Sequence, residues 1–342
     1  MRAAGKQIVG LILAGAAASA SAGAQPAATH AEYAITERIA GPDGGGWDLA
    51  SIDVETRRLY LGRDAGVLSF DLDSRHFVPV FVPGAGVHAA LVVPNTGLGA
   101  STNGDKNTVS LFDARTGHVV SEVPVGEDPD ALVYDPRSML LAVMNHKGGT
   151  VSLVDIAQRK VTATITVGGE LEAAVAARGL VYVNVADRHE IAAIDVAARK
   201  VSARFTLRGC SDPSGLAYYG PRELLVSVCA NGVTTFVRAG SGKVFARIRT
   251  GLGSDGLILD EQRRVLFVPA GRDGTLTVVG LSGTFPKVVQ TLATQKSARL
   301  GALDPRTGQV YLPSAKLGPP VPPNPWPSVV PGTFTILVVD KQ

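Results

Sequence analysis

The stretch Thr150-Val151-Ser152-Leu153-Val154-Asp155, followed after a short turn by Lys160-Val161-Thr162-Ala163-Thr164-Ile165-Thr166-Val167-Gly168, decides the architecture. An apolar strand ends in Asp, a small turn follows, and a valine-rich strand returns. The same phrase recurs at Leu68–Asp71, Ser110–Asp113 and Ala192–Asp195. Arg238, Gly280 and Asp340 end the equivalent strands Thr235–Val237, Thr277–Val279 and Leu337–Val339. The steps between these seven anchors are 42, 42, 40, 43, 42 and 60 residues. Self-similarity at a fixed period is read before any other feature, because it sets the whole fold.

Each unit reads as four short strands. A second, more apolar strand precedes the anchor strand, as at Leu59–Leu61, Leu140–Met144, Val181–Val185 and Leu224–Val228. Before it come hairpin turns such as Asp135-Pro136-Arg137-Ser138 and Asp304-Pro305-Arg306-Thr307-Gly308, whose residue types favour chain reversal. A fourth strand follows the anchor, as at Val119–Val125, Val161–Val167 and Val201–Leu207. Four-stranded units of about 42 residues repeated seven times predict an all-β, seven-bladed propeller. The seventh anchor, Asp340, lies two residues from the end, so its blade lacks a fourth strand. Tyr33–Ile39 supplies one, and the N-terminal strand is expected to complete the last blade and remove an open sheet edge.

Composition agrees. The 342 residues include 39 glycines and 21 prolines, too many for a helical bundle, since each inside a helix costs about 1–3 kcal/mol. A hydrophobic fraction of 45% excludes a disordered chain. Arg2 and Lys6 precede an apolar stretch from Ile8 to about Ala20 that ends in Ala22-Gly23-Ala24. This pattern reads as a secretory signal peptide over residues 1–24, leaving a single propeller domain at 25–342. No later apolar run reaches the length of a membrane span, and none is expected in the mature chain. Cleavage leaves 31 basic against 30 acidic residues, which offers no broad cationic field, and no nucleic-acid partner is expected.

The phrase at residues 150–168 resembles the YVTN-type repeat, and the chain is similar throughout its mature length to the exported bacterial propellers called YncE-like proteins. The resemblance implies a seven-bladed ring in the periplasm or outside the cell. Its motifs are structural and transfer no catalytic residue. Arg238 and Gly280 depart from the pattern, because both stand where the repeat has Asp. Trp47-Asp48 is the sole Trp-Asp pair and precedes a strand, so a WD40 reading is weaker.

Topology sorts the candidate residues. Loops between blades and between second and third strands share one face, where a rigid scaffold typically presents its binding groups. His88, His146 and His189 fall there in consecutive blades, while His76 and His118 fall on the opposite turns. Asp48, Asp105, Asp130, Glu170, Glu172, Asp212, Asp255, Arg272, Asp273 and Arg299 surround the first three. A funnel of imidazoles and carboxylates could hold a divalent metal and activate water, although no cofactor is required and no compact metal motif is present. The catalytic candidates are therefore His88, His146, His189, Glu170 and Arg299. The ligand-binding candidates are Trp47, Asp48, Asp130, Asp255 and Trp326. The bland alternative is that these are solvated loop residues making turn hydrogen bonds.

Cys210 and Cys229, the two cysteines of the chain, flank a hairpin that reverses near Gly220-Pro221, which places them opposite each other. An exported chain permits the disulfide. The extra residues of the last blade fall between Pro313 and Gly332. They include Pro319–Pro327, a polyproline-like run that could cap the axial opening through Trp326 or dock a partner. The functional expectation is a monomeric exported binding module or scaffold whose loop-rich face holds a small ligand or an envelope protein. The alternatives are a lactonase-type hydrolase or isomerase with a metal or His/carboxylate funnel, and a structural envelope role.

Overall fold

The computed structural model describes residues 32–321 and 327–342. The signal peptide expected over residues 1–24, and Trp326 with Pro322–Pro325, lie outside the described residues. Seven four-stranded antiparallel sheets are present, starting at Trp47, Ala90, Pro129, Leu171, Pro213, Ile258 and Ala302. Blade 3 shows the pattern: Pro129–Asp135, Leu140–Asn145, Thr150–Asp155 and Lys160–Thr166 pair in sequence order. No helix among the described residues is long and apolar enough to cross a membrane.

The turns form as the residue types dictate. Asp71 accepts hydrogen bonds from the Asp73 and Ser74 amides, and Asp113 does the same for Arg115 and Thr116. Asp155 and Asp195 cap the amides of Gln158 and Ala198. The anchor Asp thus holds the turn to the fourth strand, offering the backbone a partner where the sheet ladder ends.

The second and third strands are apolar at nearly every position because both faces of each sheet are covered. In blade 3, Leu141 and Val143 pack towards blade 2 while Ala142 and Met144 pack towards blade 4. Successive side chains point to opposite faces of a strand, so one strand serves two interfaces. Seven buried clusters result, one for each pair of adjacent blades, including blade 7 against blade 1 through Phe334, Ile336, Leu61 and Phe70.

Closure follows the expected route. Tyr33–Ala40 pairs antiparallel with Thr335–Lys341, from Tyr33 opposite Lys341 to Ala40 opposite Thr335, with a bulge at Thr36. The Tyr33 ring meets Phe267 of blade 6 edge-on at 5.0 Å. Within the insertion of the last blade, Leu317–Pro320 and Pro327–Val329 form a short antiparallel pair of their own, and residues 322–326 of the proline-rich run lie outside the described residues. The Gly332 amide ties the base of this hairpin to Asp43 at 2.6 Å.

Cys210 and Cys229 are bonded, buried, and have Cα atoms 5.4 Å apart. Their place has a structural precedent within the ring. In blade 3 the loop arriving from blade 2 crosses the end of the second strand at Gly126, whose amide donates to Asn145 Oδ1 at 3.1 Å. A Cβ on Gly126 would sit 2.5 Å from Asn145 Nδ2, so only glycine allows this crossing. Cys210 and Cys229 occupy the corresponding positions of blade 5, and a covalent bond replaces the hydrogen bond. The bridge closes a loop of about 20 residues. Replacing both cysteines by alanine is expected to lower stability by about 3 kcal/mol in the chain-entropy account. Urea denaturation of the C210A/C229A variant against oxidised wild type measures this, and equal midpoints would contradict it.

Candidate functional site

The first strand of a blade begins with a bulge. Trp47 pairs with Arg63 and Ala50 with Leu61, so Asp48 and Leu49 together face Gly62. Blades 3, 4 and 5 repeat this irregularity at Pro129/Leu132, Leu171/Ala174 and Pro213/Leu216. A bulge re-aims side chains, and in these four blades it spans the residue that enters the candidate site. In register, that residue stands five positions before Asp53, Val93, Asp135, Ala177, Tyr219, Asp260 and Asp304, which end the first strands or directly follow them. It is Asp48, His88, Asp130, Glu172, Ser214, Asp255 and Arg299, at steps of 40, 42, 42, 42, 41 and 44. Its chain neighbours Trp47, Val87, Pro129, Leu171, Pro213, Ser254 and Ala298 are buried, while the seven themselves are half-buried.

Contacts run from blade to blade around this ring. His88 Nδ1 lies 2.8 Å from Asp48 Oδ2 and 3.3 Å from Asp130 Oδ1, and His88 Nε2 lies 3.7 Å from Asp128 Oδ1. Lys147 reaches Asp128 at 3.0 Å. Glu172 Oε1 is 3.4 Å from His146 Nδ1, which also lies 3.1 Å from the Leu171 carbonyl. Arg299 donates through Nε to Asp255 at 2.8 Å, donates to the Trp47 carbonyl, and lies 5.5 Å from the Trp47 ring centre. Ser214 Oγ donates to the Ser254 carbonyl at 3.2 Å.

The electrostatics follow from crowding four carboxylates at a sheltered mouth. Burial alone would depress the His88 imidazole, but its hydrogen bond to Asp48 and the charges of Asp130 and Asp128 outweigh this and push it up to about 9. Burial, with the charges of Asp130, Asp255 and Asp48, pushes Glu172 up to about 10. Asp130 is raised by burial and by Asp48. Burial also raises Asp255, against the opposing pull of Arg299. Fields that reach from Asp48 in blade 1 to Asp255 in blade 6 and Glu172 in blade 4 show that these groups share one space. With His88 raised to about 9 and Glu172 to about 10, both hold a proton at neutral pH.

Asp48, His88 and Asp130 each offer a donor atom within 4.8 Å of the other two, and they are the grouping that could hold a metal ion. Their 2.8 and 3.3 Å separations match the roughly 3.0 Å edge of an octahedron with ligands at about 2.1 Å, a hard oxygen-rich set with one imidazole.

The candidates taken from the sequence therefore separate. His88, Asp48, Asp130, Asp255 and Arg299 come together. His146 sits beside Glu172 instead of joining His88, and His189 is exposed in a left-handed turn at φ 51°. Glu170 is exposed, and its amide donates to Asp187 at 2.8 Å. Trp47 is 5% exposed and packs edge-on against Phe334 at 5.6 Å, so it belongs to the core beneath the ring and not to a ligand face. Ser214, Asp128 and Lys147 are the site residues that reading by residue type missed. Counting five back from each first-strand end finds Ser214.

No protein-family model matches the chain, and no curated protein is similar to it. Solved structures share its fold. A chain of hydrazine synthase from Kuenenia stuttgartiensis is 15% identical with a TM-score of 0.65, covering 77% of this chain and 91% of that one. A chain of a mitotic checkpoint complex is 13% identical with a TM-score of 0.71, covering 90% of this chain and 95% of that one. At such identities the likeness shows the seven-bladed fold alone.

The Glu172 shift has a definite sign. A carboxyl raised from 4.5 to about 10 on folding holds a proton that the unfolded chain has lost, so its contribution to stability falls as pH rises across that interval. Glu172→Gln is expected to melt at a higher temperature than wild type near pH 8 and to flatten the decline between pH 5 and 9. Thermal denaturation across that range measures it, and parallel curves would contradict the assignment.

Proposed function

We propose that the protein is an exported YncE-like propeller of the YVTN-repeat kind, with a signal peptide at residues 1–24 and one mature domain at 25–342. On this reading it acts as a binding module in the periplasm or outside the cell, taking a small cationic ligand at the axial mouth. The register-equivalent ring Asp48, His88, Asp130, Glu172, Ser214, Asp255 and Arg299 carries the reading. Four carboxyl groups stand against one imidazole and one guanidinium, and a cation would displace the protons that His88 and Glu172 hold. The bonded cysteines agree with an oxidising compartment. Partners that dock on the loop-rich face, an envelope protein among them, fit the same scaffold.

A second reading, a lactonase-type hydrolase, is favoured by one observation: Asp48, His88 and Asp130 converge in the spacing of a metal's ligands. Those residues would hold a divalent ion, which supplies Lewis acidity and a nucleophilic water when bound. Arg299 would orient an anionic group beside it.

Isothermal titration with Mn²⁺, putrescine and glutarate tests the binding reading. The two cations are expected to bind and the dianion is not, and Asp130→Asn with Asp255→Asn is expected to weaken cation binding at least tenfold. Equal binding by the double variant, or no cation binding, would overturn it. Hydrolysis of a γ-lactone by the Mn²⁺-loaded protein, lost in His88→Gln, would promote the second reading.

A further inference from the structure

The charge of the chain is unevenly spread. Residues 47–206, blades 1–4, carry 19 acidic and 15 basic side chains, whereas residues 207–300 carry 12 basic and 6 acidic. The near-neutral total conceals a ring acidic over blades 1–4 and basic over blades 5 and 6. Such a field draws anions to the basic sector.

Within that sector, on the turn face and away from the axial mouth, lies a surface cavity of about 300 Å³ lined by Arg222, Leu224, Arg238, Phe245 and Thr284. Two of the seven anchors have lost their Asp, and both flank this corner: Arg238 in blade 5 and Gly280 in blade 6. In blades 1–4 the anchor carboxylate caps its turn. In blade 5 the turn is held by backbone alone, from Arg238 N to the Lys243 carbonyl at 2.9 Å and from Gly242 N to the Arg238 carbonyl at 2.8 Å. The exchange gives up the cap and reverses the charge at the mouth of the cavity. In blade 4 the corresponding Arg178, Leu180 and Asp195 line a crevice against blade 3 instead, and the anchor there is still the acid.

The walls suit a flat anion. The Phe245 and Phe285 rings stack at 5.4 Å and 23°, and Phe285 remains 60% exposed. The Arg238 guanidinium lies 5.0 Å from the Phe245 centroid. Arg222 donates to the Thr284 and Gly283 carbonyls at 2.6 and 2.5 Å and fixes the far wall. Among the described residues the ion pairs of this region are Arg178–Glu223, Arg204–Glu190, Arg263–Asp260 and Arg299–Asp255, so Arg238 lines the cavity without a carboxylate partner. An exposed apolar ring beside an unpaired guanidinium fork matches a planar group bearing a carboxylate or phosphate. The volume, at the lower end for ligand sites, sets the size at one ring with its charged substituent.

We propose that this corner between blades 5 and 6 is a binding site for a small aromatic carboxylate or aryl phosphate. Arg238 takes the anionic group and the Phe245–Phe285 stack takes the ring. Titration of the full protein with phenyl phosphate, inorganic phosphate and phenyltrimethylammonium, followed by calorimetry, tests it. Phenyl phosphate is expected to bind saturably and more tightly than inorganic phosphate, and phenyltrimethylammonium is not expected to bind. Arg238→Asp, which restores the residue of the repeat, is expected to weaken phenyl phosphate at least tenfold without lowering the melting temperature. Phe285→Ala is expected to remove the advantage over inorganic phosphate. No saturable binding, binding unchanged by Arg238→Asp, or equal affinity for phenyltrimethylammonium would overturn the proposal.

Discussion

Pairing of the two chain ends is the constraint on which the molecule depends. Each blade is apolar on both faces, and no blade can cover itself. Six interfaces form between neighbours in sequence; the seventh, between blades 7 and 1, joins the two ends of the chain, and Tyr33–Ala40 paired with Thr335–Lys341 completes blade 7 beside it. Without that strand blade 7 would present an unpaired ladder, and Tyr33 would leave Phe267. Residues about 300 positions apart must therefore meet for any part of the ring to be complete, a costly step in chain entropy that seven buried clusters offset together.

Closure also creates the site. One register position per blade becomes a ring of side chains only when the ring is shut, and in blades 1, 3, 4 and 5 that position lies in a bulge at the start of the first strand. The sequence can then vary each member independently. This chain places carboxylates at four of them, with His88 between two acids and Arg299 against a third. Burial first, and then the neighbouring carboxylates, raise Glu172, Asp130 and Asp255, while the same carboxylates raise His88 against the effect of its own burial.

The fold was legible because its signals are local and repeated: turn residues at a fixed period, and apolar strands between them. Closure was legible from a missing strand at one end and a spare one at the other. The disulfide was legible because antiparallel pairing makes Cys210 and Cys229 opposite each other. The site was legible only in part. Grouping by residue type collected His146 and His189 with His88, although their loop positions put one beside Glu172 and the other into solvent. Grouping by register separates them and adds Ser214. Trp47 is buried beside the half-buried Asp48, which residue type alone does not reveal. Proline content does not announce the pairing of Pro320 opposite Pro327 within the insertion of the last blade. A total charge near neutrality hid the division into acidic and basic sectors, because a sum carries no position.

Native-state hydrogen exchange of the closing strand tests the account most directly. If the terminal pairing holds the ring, the ladder amides of Tyr33–Ala40 and Thr335–Lys341 exchange only through global unfolding, with the same free energy and denaturant dependence as the second strands of blades 2 to 5. Exchange of those amides through a cheaper local opening, with the other blades still protected, would contradict it.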